Sequence, residues 1–297
     1  MSPSPEQGPL VRSVLRMLTQ VRDQKVIDLR AFAAGREHSA ALQKSLPPPS
    51  EAAGRYPAHA LYCSVQNQIS VMFETITALP ALARLAEIVA KAQTEYMPMG
   101  PPMSPLTNSY FSGWAFYDAA VGKARETAAD CICAVARHAG ADPEFLRVME
   151  LLRQSRLGLH VCEGTDRQGV NLRELVSGER SSCIVPAGYR GRRGEIWLAR
   201  VLPPPAPQFS ASVVMTTPYV ILQPGEQDWQ KFLERTLPRV RAADPRQAYA
   251  QLMKYGLELH YWNEYIFEAY ANYRSEVIFL CGLPDVPESR PNSAINS

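Results

Sequence analysis

The sequence has none of the features that mark a secreted or membrane-spanning protein. Its cysteines show neither a Cys-x-x-Cys pair nor framework spacing, which excludes the usual disulfide scaffolds; they are Cys63, Cys131, Cys133, Cys162, Cys183 and Cys281. No stretch approaches the roughly 18 apolar residues that predict a membrane span. The N-terminal segment is polar and rich in proline rather than apolar. We therefore expect a cytoplasmic protein without a membrane partner.

Lysine is scarce, and the overall charge is nearly balanced. Only six of the 31 basic residues are lysine, and the net charge is +2. A charge this small gives no global attraction to nucleic acid or to an anionic membrane. Arginine presents a rigid bidentate fork that lysine lacks, although a GC-rich genome explains the same bias. Composition alone leaves the partner open.

Motifs of catalysis and nucleotide binding are also absent. The sequence contains no G-x-S-x-G elbow, phosphate loop, dinucleotide fingerprint or H-E-x-x-H helix. Its five histidines are widely spread. We therefore predict no cofactor and lean against an enzyme, while a catalytic pair formed only by folding stays open.

Residues that could bind a metal occur in incomplete sets. His160 and Cys162 alternate on a predicted strand and share a face, but a second pair of ligands is not evident. Core packing is the favoured interpretation, and these two would be the first candidates if a metal were bound. The row His260, Glu264 and Glu268 lies opposite an apolar stripe and is interpreted as a solvated helix face. We predict no metal.

Helical periodicity dominates the first half of the chain. It predicts an amphipathic helix over 10–33, two helices over 58–79 and 81–96, a long helix over 110–138, and a further helix ending near Arg156. We therefore expect residues 1–156 to form a helical region.

The pattern changes near Leu157. Short runs rich in β-branched and aromatic residues, separated by glycine and proline, predict an antiparallel sheet or small barrel over 157–222. Helical periodicity then returns, so 223–280 is predicted as C-terminal helices packing on the first region, and 281–297 as an extended tail. The expected fold class is α+β: mostly helical, with an inserted small antiparallel β-module.

Part of this module resembles sequences from other proteins. The run LRELVSGE over 172–179, with GEIWLARVLP over 194–203, resembles a β-module of bacterial proteins of unassigned function, some of which carry a zinc-binding SEC-C motif. The resemblance covers fewer than fifty residues. It implies a compact β-module and no reaction, and no zinc site carries over because the SEC-C cysteine array is missing.

A proline- and methionine-rich segment carries the leading hypothesis about function. Residues 97–109 cannot form regular structure, and apolar loops of this length are usually functional or disordered. Methionines adapt to apolar partners, and an aromatic run follows directly. We therefore predict a non-enzymatic binding or regulatory component that recognises a protein partner, with binding residues Met97, Met99, Met103, Tyr110, Trp114 and Tyr117. Packing within the protein is the alternative.

An arginine-rich turn carries the second hypothesis. Residues 153–200 hold nine arginines and no lysine against five acidic residues, and the turn over 188–194 concentrates three of the arginines beside a tyrosine. Tyr189, Arg190, Arg192 and Arg193 are therefore candidate phosphate- or nucleic-acid-binding residues. The corresponding function is a hydrolase or nucleic-acid-processing enzyme that holds phosphate. A solvated hairpin turn is the favoured interpretation, so nucleic acid is the less expected partner.

Overall fold

The computed structural model describes residues 7–23, 56–97, 104–167 and 169–291. The chain divides into two compact units, of which the first comprises 1–90 with 119–154 and the second 91–118 with 155–297. Within the described ranges, no single helix is long and apolar enough to cross a membrane. One bent pair, Pro57–Thr77 with Pro80–Tyr96, passes the length and composition test.

The helices follow the chain in order. They are α1 (Pro9–Asp23), α2 (Pro57–Thr77), α3 (Ala83–Tyr96), α4 (Asn108–Gly113), α5 (Ala128–His138), α6 (Pro143–Gln154), α7 (Glu226–Thr236), α8 (Pro245–Tyr255) and α9 (Tyr261–Ala269). The strands are β1 (Ala120–Val121), β2 (Glu126–Thr127), β3 (Leu157–Thr165), β4 (Val170–Glu174), β5 (Arg180–Ile184), β6 (Ile196–Leu202), β7 (Ser212–Val214), β8 (Tyr219–Gln223), β9 (Tyr270–Arg274) and β10 (Val277–Cys281).

The first unit begins with a helix whose N-terminus is bound by a distant carboxylate. Glu126 on β2 accepts hydrogen bonds from the backbone N–H groups of Leu10 and Val11, each at 2.8 Å. These are donors that the first turn of a helix leaves unsatisfied. Gly8 is required beside them, because a Cβ there would lie 2.2 Å from the Glu126 carboxyl carbon. Glu126 thereby fixes where α1 starts.

The long helix predicted over 110–138 is interrupted. It divides into α4, a π-helical turn at Trp114–Asp118, the two-stranded β1–β2 hairpin and α5. The hairpin turn contains Gly122 at φ +71°, and α5 starts with a capping box in which Thr127 and Asp130 each bind the other's backbone N–H. A turn and a new cap therefore replace continuous helix. Of the predicted helix over 10–33, residues 24–33 lie outside the described ranges.

Five strands of the second unit close a barrel. β3 pairs with β4, β4 with β5, β5 with β7, β7 with β6, and β6 again with β3. All of these pairings are antiparallel except β5–β7, which is parallel. This circular order belongs to the five-stranded Greek-key barrels, of which the OB-fold is one type.

The sheet continues beyond the barrel through β8, β10 and β9, and β9 is its last strand. β8 pairs with β6 antiparallel and with β10 in parallel, and β9 pairs with β10 antiparallel. Direct partners place Trp197 beside Val220, Val220 beside Phe279, and Phe279 beside Asn272. Directly opposed residues share a face of a sheet, so one face runs from the barrel out to the β9–β10 hairpin.

The expected fold class is therefore wrong. The sheet has eight strands, five of them in a closed barrel, and this is substantial sheet rather than a small inserted antiparallel module. Two of its pairings are parallel. The extra strands β9 and β10 lie in the segment 223–280, which was expected to be helical. β10 pairs with β8 and β9 pairs with β10, and the periodicity of 223–280 does not indicate these pairings.

The barrel interior is apolar. Cys162, Leu172, Cys183, Trp197, Ala199 and Val214 belong to one buried cluster that continues to Val220 and Val277 on the outer strands. These six positions lie on the five barrel strands and form an apolar core, and burying apolar surface is the main favourable contribution to folding.

A buried ion pair lies within the second unit on the opposite face of β6. Arg200 is 2% exposed, and its guanidinium binds the carboxylate of Asp118, the last residue of the π-helical turn, as well as the hydroxyl of Ser155 at 2.8 Å. Lys254 on α8 lies 3.8 Å from the same carboxylate. Burial raises the pKa of Asp118, and the two cations oppose that shift. The segment over 104–118 is thereby attached to the barrel wall.

The C-terminal segment after β10 also contacts the second unit. Arg235 on α7 binds Asp285 at 2.8 Å, and Arg290 donates to the carbonyl of Leu283 at 3.1 Å. Tyr265 donates to the carbonyl of Gly282 at 2.9 Å. Residues 281–291 are therefore held by side chains, and 292–297 lie outside the described ranges.

Candidate functional site: the arginine turn

The arginine turn, defined as residues 185–195, connects β5 to β6 across the end of the barrel. Its central aromatic residue, Tyr189, packs on Trp197 of β6 with ring centroids 5.4 Å apart, and edge-on to Phe279 of β10 at 6.4 Å. Tyr189 and Phe279 are half-buried, whereas Trp197 is fully buried. The turn therefore lies over the apolar face that joins the barrel to the hairpin.

Glycine allows the backbone of the turn to approach this face closely. Gly191 has φ +72°, a conformation that L side chains rarely adopt. A Cβ at this position would lie 2.5 Å from the Trp197 ring and 3.2 Å from the Cys162 sulfur. The turn can contact the barrel end only because this residue lacks a side chain.

Backbone hydrogen bonds attach the end of the turn to β3. Cys162 donates its N–H to the carbonyl of Glu195, and Gly194 donates to the carbonyl of Cys162, both at 2.8 Å. Together with the Gly191 contact, these bonds hold the turn against the end of the barrel.

The side chain of Glu195 reaches back across the turn. The Tyr189 hydroxyl donates to its two carboxylate oxygens at 3.1 and 3.0 Å, and the Arg192 N–H donates to Oε2 at 2.9 Å. Burial raises the pKa of Tyr189 to about 12, and the Glu195 hydrogen bond adds to the shift, while Arg192 and Arg274 oppose it. The Tyr189 hydroxyl therefore stays a donor at neutral pH.

Three guanidinium groups project from this fixed turn. Arg190, Arg192 and Arg193 are exposed, and within the described residues none of them forms an ion pair. A fourth arginine, Arg274 of β9, lies over the Phe279 ring with its guanidinium carbon 5.6 Å from the centroid. Because Tyr189 packs edge-on to Phe279 and Arg274 lies over Phe279, the turn and the hairpin present their arginines around one pair of aromatic rings.

Neighbouring arginines on the barrel are arranged differently. Arg180 and Arg173 bind Glu163 at 2.8 and 3.2 Å, and Arg173 also binds Glu226 at 3.0 Å. These guanidinium groups are already neutralised by carboxylates. The arginines of the turn keep their charge available for an external anion.

The surface offers two kinds of contact to a ligand. Guanidinium groups bind phosphate oxygens bidentately, and half-buried aromatic rings stack with bases. Tyr189 and Phe279 supply ring surface bordered by the three arginines of the turn, while Arg274 lies over one side of the Phe279 ring. A ligand with regularly spaced phosphates and unpaired bases uses both.

The proposed partner-binding aromatics lie in the interior of the second unit. Tyr110, Trp114 and Tyr117 are 2%, 4% and 1% exposed. The Tyr110 hydroxyl donates to Asn263 at 3.0 Å, and the Trp114 indole donates to the Leu259 carbonyl at 3.3 Å. These three side chains are core residues and offer no surface to a partner. Met97 is half-buried, and Met99 and Met103 lie outside the described residues.

The candidate metal ligands His160 and Cys162 are both buried on β3. Desolvation lowers the pKa of His160 to about 4, so its ring is neutral at physiological pH; nearby Glu174 raises that pKa in part. Among the described residues, no group of three or more His, Cys, Asp and Glu side chains could hold a metal ion. The absence of a bound metal stays a prediction.

The interpretation of the His260 row as a solvated face is correct for its two glutamates only. Glu264 and Glu268 are exposed. His260, however, lies between the rings of Tyr96 and Trp114, with centroids 5.6 and 5.4 Å away, and its pKa is lowered by desolvation. His260 precedes the first residue of α9, Tyr261, and packs against aromatic rings instead of facing solvent.

Comparisons with known proteins found no similar sequence or structure. No protein-family model matches the chain, and neither curated proteins nor solved structures gave a match. The resemblance to a bacterial β-module stays an expectation, and the function is proposed below from the geometry of the site.

Sequence reasoning identified the arginines of the turn and missed the residues that organise them. Arg274 and Phe279 lie about 80 residues further along the chain and join the site only through the β8–β10 pairing. Glu195 is one of the five acidic residues over 153–200. Its position three residues after Arg192, which suits a side chain returning to a turn backbone, was the one available signal.

Proposed function

We propose that the protein binds single-stranded nucleic acid on the surface formed by the arginine turn and the β9–β10 hairpin. One observation carries the proposal: three exposed arginines without ion pairs among the described residues project from a turn that is fixed over half-buried aromatic rings. The hydrolase alternative has no comparable observation in its favour, and it stays a prediction.

The rigidity of the turn supports binding. Contacts made by Gly191, Tyr189 and Glu195 hold the backbone before any ligand arrives. Ordering a flexible side chain at an interface costs roughly 0.5–1.5 kcal/mol, and preorganisation reduces that cost. A solvated hairpin turn does not require these three contacts with the barrel and within the turn.

The aromatic rings support a single strand over a duplex. Duplex bases are stacked on each other and cannot stack on Tyr189 or Phe279, whereas single-strand bases can. Stacking of a base on an aromatic side chain contributes about 1–3 kcal/mol. Greek-key barrels of the OB type bind oligonucleotides, chiefly through other strands and loops. The barrel topology is therefore compatible with nucleic-acid binding, and the arginine turn is the specific support for it.

The hypothesis of a protein partner loses most of its support. Its aromatic residues Tyr110, Trp114 and Tyr117 are buried, which leaves Met97 as the one member of its set that is both described and partly exposed. It stays a prediction for the segment over 98–103.

The test measures binding of a fluorescent single-stranded oligonucleotide by anisotropy at several salt concentrations. Replacing Arg190, Arg192 and Arg193 with alanine should weaken binding at low salt by about tenfold or more. The log–log salt slope should fall by about two, since each phosphate bound on a single strand contributes about 0.7.

A matched variant controls for the loss of charge. Arg239, Arg241 and Arg246 are three exposed arginines on the connection before and into α8, and their replacement with alanine removes the same charge elsewhere. This variant should keep the parent affinity. Equal weakening of binding by both triple variants, or no measurable binding by the parent at low salt, contradicts the proposal. If the parent binds a duplex as tightly as a single strand, the surface binds a polyanion through its phosphates and makes no base contacts.

A further inference from the structure

The carboxylate of Glu195 lies within the surface proposed to bind an anion. It is hydrogen-bonded to the Tyr189 hydroxyl and to the Arg192 N–H. Its own N–H donates to the carbonyl of Arg192 at 3.1 Å, so residues 192 and 195 bind each other reciprocally. The same residue is attached to β3 through the Cys162 N–H. Its side chain therefore joins the aromatic residue to the turn backbone, and its backbone carbonyl attaches the same residue to the barrel.

From electrostatics alone, a carboxylate here is unfavourable. A negative charge several ångströms from a bound phosphate repels it, and in a solvent of high dielectric constant this weakens binding by about threefold. Removing the charge should then tighten binding, whichever residue replaces it. Glu195 therefore needs a compensating role if the turn binds phosphate.

We propose that Glu195 is the positioning residue of the arginine turn. It holds Tyr189 and the Arg192 backbone so that the guanidinium groups of Arg190, Arg192 and Arg193 face one ligand. This inference rests on the proposed function. Without the carboxylate, the Tyr189 hydroxyl and the Arg192 N–H turn to water, and the three arginines lose their common orientation.

Two substitutions of Glu195 separate positioning from charge. Glu195→Gln removes the charge and keeps an oxygen acceptor, so its affinity for the oligonucleotide should equal the parent value or exceed it by up to about threefold. Glu195→Ala removes both, and its affinity should fall by about tenfold, because ordering of the turn is then required on binding. Its salt slope should also fall, because fewer arginines bind phosphate together.

Tyr189→Phe gives an independent measurement. It keeps the ring that packs on Trp197 and removes the hydroxyl that Glu195 accepts from, so it should weaken binding, and adding Glu195→Ala should weaken binding less than additively. Near-ultraviolet circular dichroism and the urea midpoint monitor folding of each variant. Should Glu195→Ala prove unstable, Tyr189→Phe with Glu195→Gln tests the same contact.

The outcomes distinguish the inference from the proposed function. Binding by the parent, loss in the triple arginine variant, a Glu195→Gln affinity at or above the parent value and a weaker Glu195→Ala affinity support both. An affinity of Glu195→Ala equal to or tighter than the parent, or an additive Tyr189→Phe effect, overturns the role of Glu195 alone. A parent protein that does not bind overturns both.

Discussion

At the scale of single residues, a buried polar side chain depends on the partners that surround it. His160 and Arg200 are both buried in the second unit. Asp118 and Ser155 bind Arg200, so its guanidinium has hydrogen-bond acceptors in the interior. His160 lies opposite Glu174 of β4 and Trp197 of β6, and Glu174 forms an ion pair with Arg156 at 2.7 Å. Desolvation lowers the pKa of His160 to about 4, so the imidazole is neutral at physiological pH.

The pH dependence of stability should reveal His160. Its folded pKa of about 4 lies below the unfolded value of 6.5, so the unfolded chain takes up a proton first as pH falls. Stability should therefore decrease from about pH 6.5 down to pH 4, by up to about 3 kcal/mol from this residue. In urea unfolding across that range, His160→Gln should flatten the decrease, whereas Gln227→Ala, at an exposed position that does not titrate, should leave it unchanged. An unaltered pH dependence of His160→Gln would contradict the predicted protonation.

At the scale of elements, local caps and turns divide the periodic segments. The apolar spacing over 110–138 is continuous enough to predict one helix, but the Thr127–Asp130 capping box and the Gly122 turn start a new one. Similarly, apolar spacing continues from Tyr255 to Tyr273, although α9 ends at Ala269 and β9 begins at Tyr270. In both places a hydrophobic stripe predicts the element type incorrectly, and in the second it also fails at its end, because Tyr273 is 59% exposed.

The start of α1 should depend on Glu126. Glu126→Ala removes the acceptor of the Leu10 and Val11 N–H groups, and comparable losses of helix caps cost about 0.5–2 kcal/mol. Urea unfolding should show this loss, while Glu144→Ala, at an exposed site in the first turn of α6, serves as the matched control. Gly8→Ala should destabilise as well, because its Cβ would meet the Glu126 carboxylate. Equal stability of Glu126→Ala and the parent would show that water replaces the carboxylate.

At the scale of the whole molecule, closure of the barrel decides which residues meet. The β5–β7 pairing closes the barrel, and β8 then extends the sheet to β10 and β9. This arrangement brings Phe279 and Arg274 beside a turn that precedes them by about 80 residues. The proposed surface therefore depends on long-range strand pairing and on no local motif.

Arg274 should contribute to nucleic-acid binding as the arginines of the turn do. Arg274→Ala should weaken binding of the single-stranded oligonucleotide by a few-fold and reduce the salt slope by about 0.7, the contribution of one phosphate. Arg246→Ala is the control, since Arg246 is equally exposed outside the surface. Anisotropy titrations at varied salt measure both quantities. An unchanged slope for Arg274→Ala would restrict the surface to the turn.

The sequence by itself determined that helices dominate the first half of the chain, that the eight-stranded sheet starts at Leu157, and that arginine is concentrated over 188–194. These features follow from periodicity and composition, which are local properties of the chain. Only the tertiary structure decided that Tyr110, Trp114 and Tyr117 are core residues, that five strands close a barrel, and that Arg274 joins the arginine turn. Burial and strand pairing depend on contacts between residues far apart in the sequence, and periodicity carries no information about which apolar faces meet.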